Sequence, residues 1–251
     1  MKVVVCFKGV PAARHVAIDP ITHNLQRDSA AIEMDPDDRY ALAIALQLRQ
    51  QLQDVEIIAL TMGAMHSQII LQEALAMGAN KAVLLSDRRF AGADTLATGY
   101  TLAQAINKID NVSLVITGQT SHDADTGQVG PNIAAQLHWQ QATHVTDLTY
   151  QKLTWQITRQ LDNTMQVLQT QDNLVVTVGN NDLQPAQMTV TGINQAVNET
   201  LTIWSADDLH CDLQRVGKNG SATKVVALMT PELPPHQAKL LPQATDFLNI
   251  L

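Results

Sequence analysis

Residues Val112–Leu137 read "VSLVITGQTSHDADTGQVGPNIAAQL". The segment opens on a short apolar run, crosses a polar turn holding Gly118, Gly127 and Gly130, and enters a helix-like pattern at Pro131. Buried strand, loop and helix in that order make one unit of a parallel sheet. The loop Thr117–Pro131 then lies at a strand's carboxyl end, where open α/β sheets build their ligand crevice. Asp125 or Thr126 can cap the following helix. Its free N–H groups, with Gly127 and Gly130 allowing close approach of the backbone, suit a phosphate. A plain capped crossover loop, with its acids serving solubility, reads the same residues equally well.

The alternation extends through the first two thirds of the chain. "KVVVCF" (2–7), "VEIIALTM" (55–62) and "KAVLLS" (81–86) are further buried strands. "MDPDDRYALAIALQLRQQL" (34–52) is a helix with Asp35 as cap and Pro36 where its missing N–H costs nothing. Asp37 and Asp38 then face the positive end of the dipole. "SQIILQEALAMG" (67–78) starts at Ser67 and stops at Gly78, and "DTLATGYTLAQAINK" (94–108) is capped by Asp94. The expected fold is α/β, a twisted parallel sheet with helices on both faces in a Rossmann-like arrangement. From Thr143 the texture changes. The runs 142–151, 152–160, 163–171 and 173–179 alternate polar and apolar residues, with "LDN" as a turn, and predict an antiparallel hairpin beside the sheet. Residues 180–199 read as polar and irregular, and "TLTIWSADDL" (200–209) as one more strand with a capped turn. The division that follows is an α/β domain over 1–209 and an extended, loop-rich arm over 210–251 that packs on a partner.

Composition narrows the function. Of 251 residues, 45% are hydrophobic and only 4% aromatic, so the core is aliphatic. The net charge of -8 argues against nucleic acid or an anionic membrane as partner. No run reaches the roughly 18 apolar residues of a membrane span. "MKVVVCFK" reads as a first strand, not a signal peptide, and Cys6 and Cys211 suggest neither a metal nor a redox pair. A cytoplasmic location is expected. Neither common phosphate-loop fingerprint occurs, nor does a nucleophile elbow or paired-histidine zinc spacing, and no metal site is expected. Such a chain is a binding protein, or it lends its site to a cofactor that carries the chemistry. Three loops are the candidates: "DADTGQVG" (123–130), "MDPDD" (34–38) and "SDRRFAGADTLAT" (86–98). Each also has an ordinary reading as a helix start or a surface loop.

The same loops resemble a known family. "KVVVCFKGVP", "MDPDDRYALAIALQLR", "ALTMG", "ALAMGANKAVLL" and "GQTSHDADTGQVGP" stand in the order and spacing found in β subunits of electron transfer flavoproteins, from Met1 to about Leu209. The resemblance implies a heterodimer with a larger, FAD-bearing α subunit, serving a dehydrogenase or another redox protein. It also implies nucleotide contacts at Cys6, Asp35, Pro36, Asp37, Asp38, Met62, Asp123, Asp125, Thr126, Gly127, Gln128, Val129 and Gly130. In the ordinary type that nucleotide is AMP. In the electron-bifurcating type it is a second FAD that works with NADH. "SDRRFAGADTLATGYTLAQAI" and "DTGQVGP" are closest to the bifurcating pattern, which carries Asp94, Thr95 and Thr98 over as FAD contacts, with Arg88 and Phe90 near the flavin.

Two departures fall in that stretch: Arg89 stands for a small residue of the loop and Gly99 for serine. A larger one is "PAQMTVTGINQAVNE" (185–199). Ala186 stands where the family has arginine, Val190 at the leucine position, and Gln195, Asn198 and Glu199 where it has lysines. The implied docking of the dehydrogenase then falls to a different partner or to other surfaces. A stand-alone regulator binding an adenine nucleotide is the reading of a different class.

Overall fold

The computed structural model describes residues 1–12, 32–180, 183–224 and 226. Residue 225 and residues 227–251 of the expected arm lie outside them. The strands that alternate with helices are β1 (Lys2–Phe7), β4 (Glu56–Met62), β5 (Lys81–Leu85) and β6 (Val112–Gly118). Their helices are α1 (Pro36–Gln51), α2 (Gln68–Met77), α3 (Thr95–Lys108) and α4 (Val129–Leu137). A short ribbon of β2 (Gly9–Pro11) and β3 (Ile32–Met34) intervenes after β1. Next come β7 (Gln140–Ala142), β8 (Val145–Gln151), β9 (Thr154–Leu161), β10 (Thr164–Thr170), β11 (Leu174–Val178), α5 (Val190–Asn198), β12 (Thr202–Trp204) and α6 (Gly217–Gly220).

Seven strands form one sheet in the order β12-β5-β4-β1-β6-β11-β7, and every pairing is parallel. Side chains alternate across β1: Val3, Val5 and Phe7 enter the core under α1 and α2, while Val4 and Cys6 enter the one under α3 and α4. Both faces are covered, so the strands read as continuous apolar runs. Each such fully buried aliphatic side chain contributes about 1.5–3 kcal/mol. From β1 the chain walks outward through β4 and β5, then returns to the opposite flank of β1 as β6. The carboxyl ends of β1 and β6 are therefore the topological switch point, where such sheets place a ligand.

Two readings need correction. Residues Leu174–Val178 do not join the antiparallel strands. β11 is buried along its whole length and pairs with β6. Thr177, which gave the run its alternating look, is inside, where its hydroxyl accepts the His144 N–H at 3.3 Å. The antiparallel sheet is the three-stranded β10-β9-β8, with the expected turn at residues 161–163. Residues 180–199 are not wholly irregular, because α5 lies within them. Thr189 caps it, its Oγ1 accepting the Gly192 N–H at 2.9 Å. Only Gly192 and Ala196 of this helix are buried, while Val190 and Val197 are 78% and 76% exposed. Its large apolar residues face outward, the reverse of an ordinary surface helix.

Candidate functional site

The site begins with Asp35. It caps α1 by accepting the Asp37 N–H at 3.1 Å, and its own N–H donates to the Lys8 carbonyl at 3.0 Å. This bond brings the helix start to the end of β1. Asp35, Asp37 and Asp38 then reach the loop after β6. Gly118 N–H donates to Asp38 Oδ1 at 3.2 Å, Thr120 N–H to Asp37 Oδ2 at 3.3 Å, and His122 N–H to Asp35 Oδ2 at 2.8 Å. Three carboxylates thus take the amides of every second loop residue. Asp38 also accepts the Lys8 N–H at 2.6 Å, which ties β1 and β6 together across the switch point. From the other side Lys8 Nζ bonds Ser121 Oγ at 3.0 Å and pairs with Asp123.

This latch explains how so many acids can cluster at one rim. Asp35 and Asp38 are buried, and their oxygens are filled by backbone N–H groups. Burial pushes the Asp38 carboxyl well above the usual range, against the pull of Lys8 N–H, with Asp35 adding to the rise. Burial also raises Asp37, with Thr120 N–H opposing. At Asp123 the Lys8 ammonium overcomes burial and lowers the carboxyl. Pro36 is exposed at the helix start. Cys6 is 7% exposed, and burial together with the nearby Asp38 drives its thiol far upward, so it packs as a small apolar side chain. Met62 ends β4 at the same rim, partly buried.

Beyond the latch the chain turns outward. Asp125 and Gly127 both have positive φ, 49° and 63°. Asp125 and Thr126 do not cap α4: the N-cap is Gln128, and no side chain caps the helix. Its first-turn N–H groups, at Val129 and Gly130 ahead of Pro131, have no side-chain partner. Gln128 turns sideways instead, its Oε1 accepting the Thr95 hydroxyl at 2.8 Å. Asp123, Asp125, Thr126 and Gln128 are exposed, Val129 is half-buried, and Gly130 is buried against Thr117 and Thr177.

The Thr95–Gln128 bond brings the third loop to the same place. Asp94 caps α3, with Oδ1 accepting from Leu96 and Ala97 N–H, both at 3.0 Å. Thr98 is half-buried one turn along, and Gly99 brings α3 close to Asn132 of α4. Arg88 is exposed, while Phe90 is 5% exposed and anchors the loop in the core under α3. Arg89 is a strut. It bonds Asp87 and holds Asp207 with two N–H groups at 2.8 and 2.9 Å. The Arg89 hydrogen bonds draw the Asp87 carboxyl far below its ordinary 3.8. A depressed carboxyl stabilises the fold above the unfolded pKa and loses that contribution as pH falls through the folded one. Arg89→Ala should therefore lower the urea midpoint at pH 7, and the gap from wild type should close as the pH falls below about 4.

The three candidate loops thus meet at one rim. A polar cleft of about 370 Å³, lined by Asp37, Gln119, Thr120, His144, Gln160 and Asn180, opens beside the latch and includes no residue of 87–98 or 123–130. Sequence reasoning missed Lys8, Arg89 as a strut, and Ser221 and Thr223, which contact Asp94. Lys8 carried a signal, as the first residue beyond β1. Ser221 and Thr223 carried none, being more than 120 residues away along the chain. Residues 211–216, the start of the expected arm, pack on this chain. Tyr100 Oη accepts the Asp212 N–H at 2.9 Å, the Arg215 guanidinium lies 4.0 Å from the Tyr100 ring centre, and Val216 is buried.

Residues 22–209 match the electron transfer flavoprotein domain. The chain is 37% identical to the caffeyl-CoA reductase-Etf complex subunit CarD of Acetobacterium woodii, covering 92% of this chain and 88% of that one. It is equally similar, at 37% and the same coverage, to the electron transfer flavoprotein subunit beta of Thermoanaerobacterium thermosaccharolyticum. Protein FixA of Azorhizobium caulinodans is 36% identical, over 96% of this chain and 88% of its own. Among the described residues no helix is long and apolar enough to cross a membrane. With a parallel sheet, a switch-point loop and these relatives spanning most of its length, the chain belongs to the electron transfer flavoprotein family, in which it matches β subunits.

Proposed function

We propose that this chain works as the β subunit of a heterodimer with a larger α subunit, and that it holds an FAD of its own rather than AMP. The observation that carries the reading is the junction of α3 and α4. The uncapped start of α4 fits a phosphate, through open N–H groups and the positive end of the dipole. The Asp87–Thr98 loop is tied directly to that point through Thr95 and Gln128. AMP would use the first feature alone, whereas a dinucleotide extends over both. Asp125, Thr126, Gly127, Gln128, Val129 and Gly130 would hold the phosphate. Asp94, Thr95, Thr98 and Arg88 would line the extension, while Asp35, Asp37, Asp38 and Asp123 hold the loop in place.

A flavin bound there supplies two-electron exchange with NADH and one-electron transfer to acceptors, the chemistry needed for electron bifurcation. For the redox partner, α5 and its approach present Met188, Val190, Ile193 and Val197 with no charged side chain between Met188 and Asn198. A partner docking here meets an apolar face, unlike the lysine-rich face that the family resemblance implies. The test is a cofactor count on the purified α–β complex, by denaturing extraction, absorbance and chromatography. Two FAD and no AMP per heterodimer is the expected result. One FAD with one AMP would return the site to the AMP type, and a lone chain carrying an adenine nucleotide without flavin would favour the regulator.

A further inference from the structure

Asp94 spends only one carboxylate oxygen on α3. Its Oδ2 accepts the Thr223 N–H at 2.9 Å and the Thr223 hydroxyl at 3.1 Å. Its own N–H donates to Ser221 Oγ at 2.8 Å, and that hydroxyl lies 3.0 Å from the Gly92 carbonyl and 2.9 Å from the Gly217 carbonyl. Lys218 N–H donates to the Ala91 carbonyl at 3.0 Å. Residues 217–223 therefore lie as a strap along the backbone of residues 89–94. The approach is as close as backbones allow: a Cβ on Gly217 would stand 2.0 Å from the Arg89 carbonyl oxygen, and its φ of +54° already favours glycine. The strap is anchored behind by Val216 in the core and by Arg215, which bonds Gln136 of α4 at 2.6 Å.

One carboxylate thus joins the cap of α3, the loop beside the proposed nucleotide, and the root of the C-terminal arm. We infer that Ser221 and Thr223 are positioning residues that couple this arm root to the nucleotide site, so that filling the site orders the strap and the strap in turn holds Asp94 for the ligand. The inference rests on the reading of the α3–α4 junction as a nucleotide site. The coupling is reciprocal by thermodynamic necessity: whatever the strap adds to nucleotide affinity, the nucleotide adds to strap stability.

The experiment is amide hydrogen exchange on the intact α–β complex, stripped of nucleotide and then refilled with FAD or, separately, AMP. In the wild type, the ligand that fills the site should slow exchange across residues 217–223 by roughly fivefold or more, within the range of ordinary coupling energies. Residues 126–132 should be protected in the same sample. In Thr223→Val, which keeps the shape and the backbone but removes the hydroxyl donor, 126–132 should still be protected. The ligand-dependent slowing at 217–223 should shrink, and ligand affinity should fall about fivefold. Ser221→Ala, which removes the acceptor of the Asp94 N–H, should behave alike and serves should Thr223→Val fold poorly. Protection of 126–132 with no response at 217–223 in the wild type would overturn the coupling and leave the site intact. No response in either segment would remove the nucleotide reading and the coupling with it. A purely structural Thr223 would lower the melting temperature without changing the ligand-dependent difference.

Discussion

Asp38→Ala is expected to destabilise the protein by about 2–4 kcal/mol and to weaken nucleotide retention on the order of tenfold. The carboxylate is 4% exposed and accepts two backbone N–H groups, from Lys8 at 2.6 Å and Gly118 at 3.2 Å. Alanine leaves both donors without the buried carboxyl that takes them. Each amide so stranded costs up to about 1–3 kcal/mol. For a chain of this size the melting temperature should fall on the order of 10 °C. The binding loss follows because the loop after β6 hangs from the latch, and the nucleotide reading places its ligand just beyond.

Asp38→Asn separates the charge from the shape. The native carboxyl is raised chiefly by burial, so the folded state takes up its proton more readily than the unfolded chain does. A raised carboxyl favours the fold most at acid pH, and that contribution declines as pH climbs from the unfolded value through the folded one. Asparagine does not titrate. The stability deficit of Asp38→Asn should thus be largest near pH 4 and shrink toward neutrality, read as urea midpoints across pH. A deficit that grows with pH would mean that the carboxylate is a net stabilising charge, contrary to its burial.

How far the sequence reveals this arrangement depends on the range of the forces involved. Asp35 before Pro36, Asp94 before Thr95, and Gly78 after Met77 act within one helical turn, and each does what its residue type dictates. The apolar strands of the parallel sheet were legible for the same reason, because burial on both faces writes itself along each run. β11 misled because one buried threonine imitates alternation. α5 was hidden because its anchoring side is Gly192 and Ala196, too small to register as a hydrophobic stripe. The latch lay further out of reach. That Asp38, Asp37 and Asp35 meet the amides of Gly118, Thr120 and His122 follows from β1 and β6 being neighbours, which no local pattern states. The sequence placed the acids at the rim, and only the topology shows that they also hold the loop.

The same dependence on topology makes Gly130 the most sensitive point in the "DTGQVGP" turn. A Cβ there would lie 2.5 Å from Thr177 Cγ2 and 2.9 Å from Thr117 Oγ1. Neither threonine can readily give way. Both are buried, Thr177 Oγ1 accepts the His144 N–H, and Thr117 Oγ1 donates to the Gly118 carbonyl at 2.8 Å. Gly130→Ala must therefore lift the first turn of α4 off the sheet, at an overpacking cost of roughly 1–3 kcal/mol. That turn carries the open N–H groups proposed to hold the phosphate, so nucleotide affinity should fall by about tenfold or more. Thr177→Ser removes the obstructing methyl and keeps the hydroxyl that His144 needs. In the double variant Gly130→Ala/Thr177→Ser much of the lost stability and affinity should return, giving a coupling of about 1 kcal/mol between contacting sites. Isothermal titration with FAD and with AMP on the α–β complex, beside thermal melts, measures both quantities. Additive losses in the double variant, or full affinity in Gly130→Ala, would show that the phosphate does not depend on how closely α4 seats between β6 and β11.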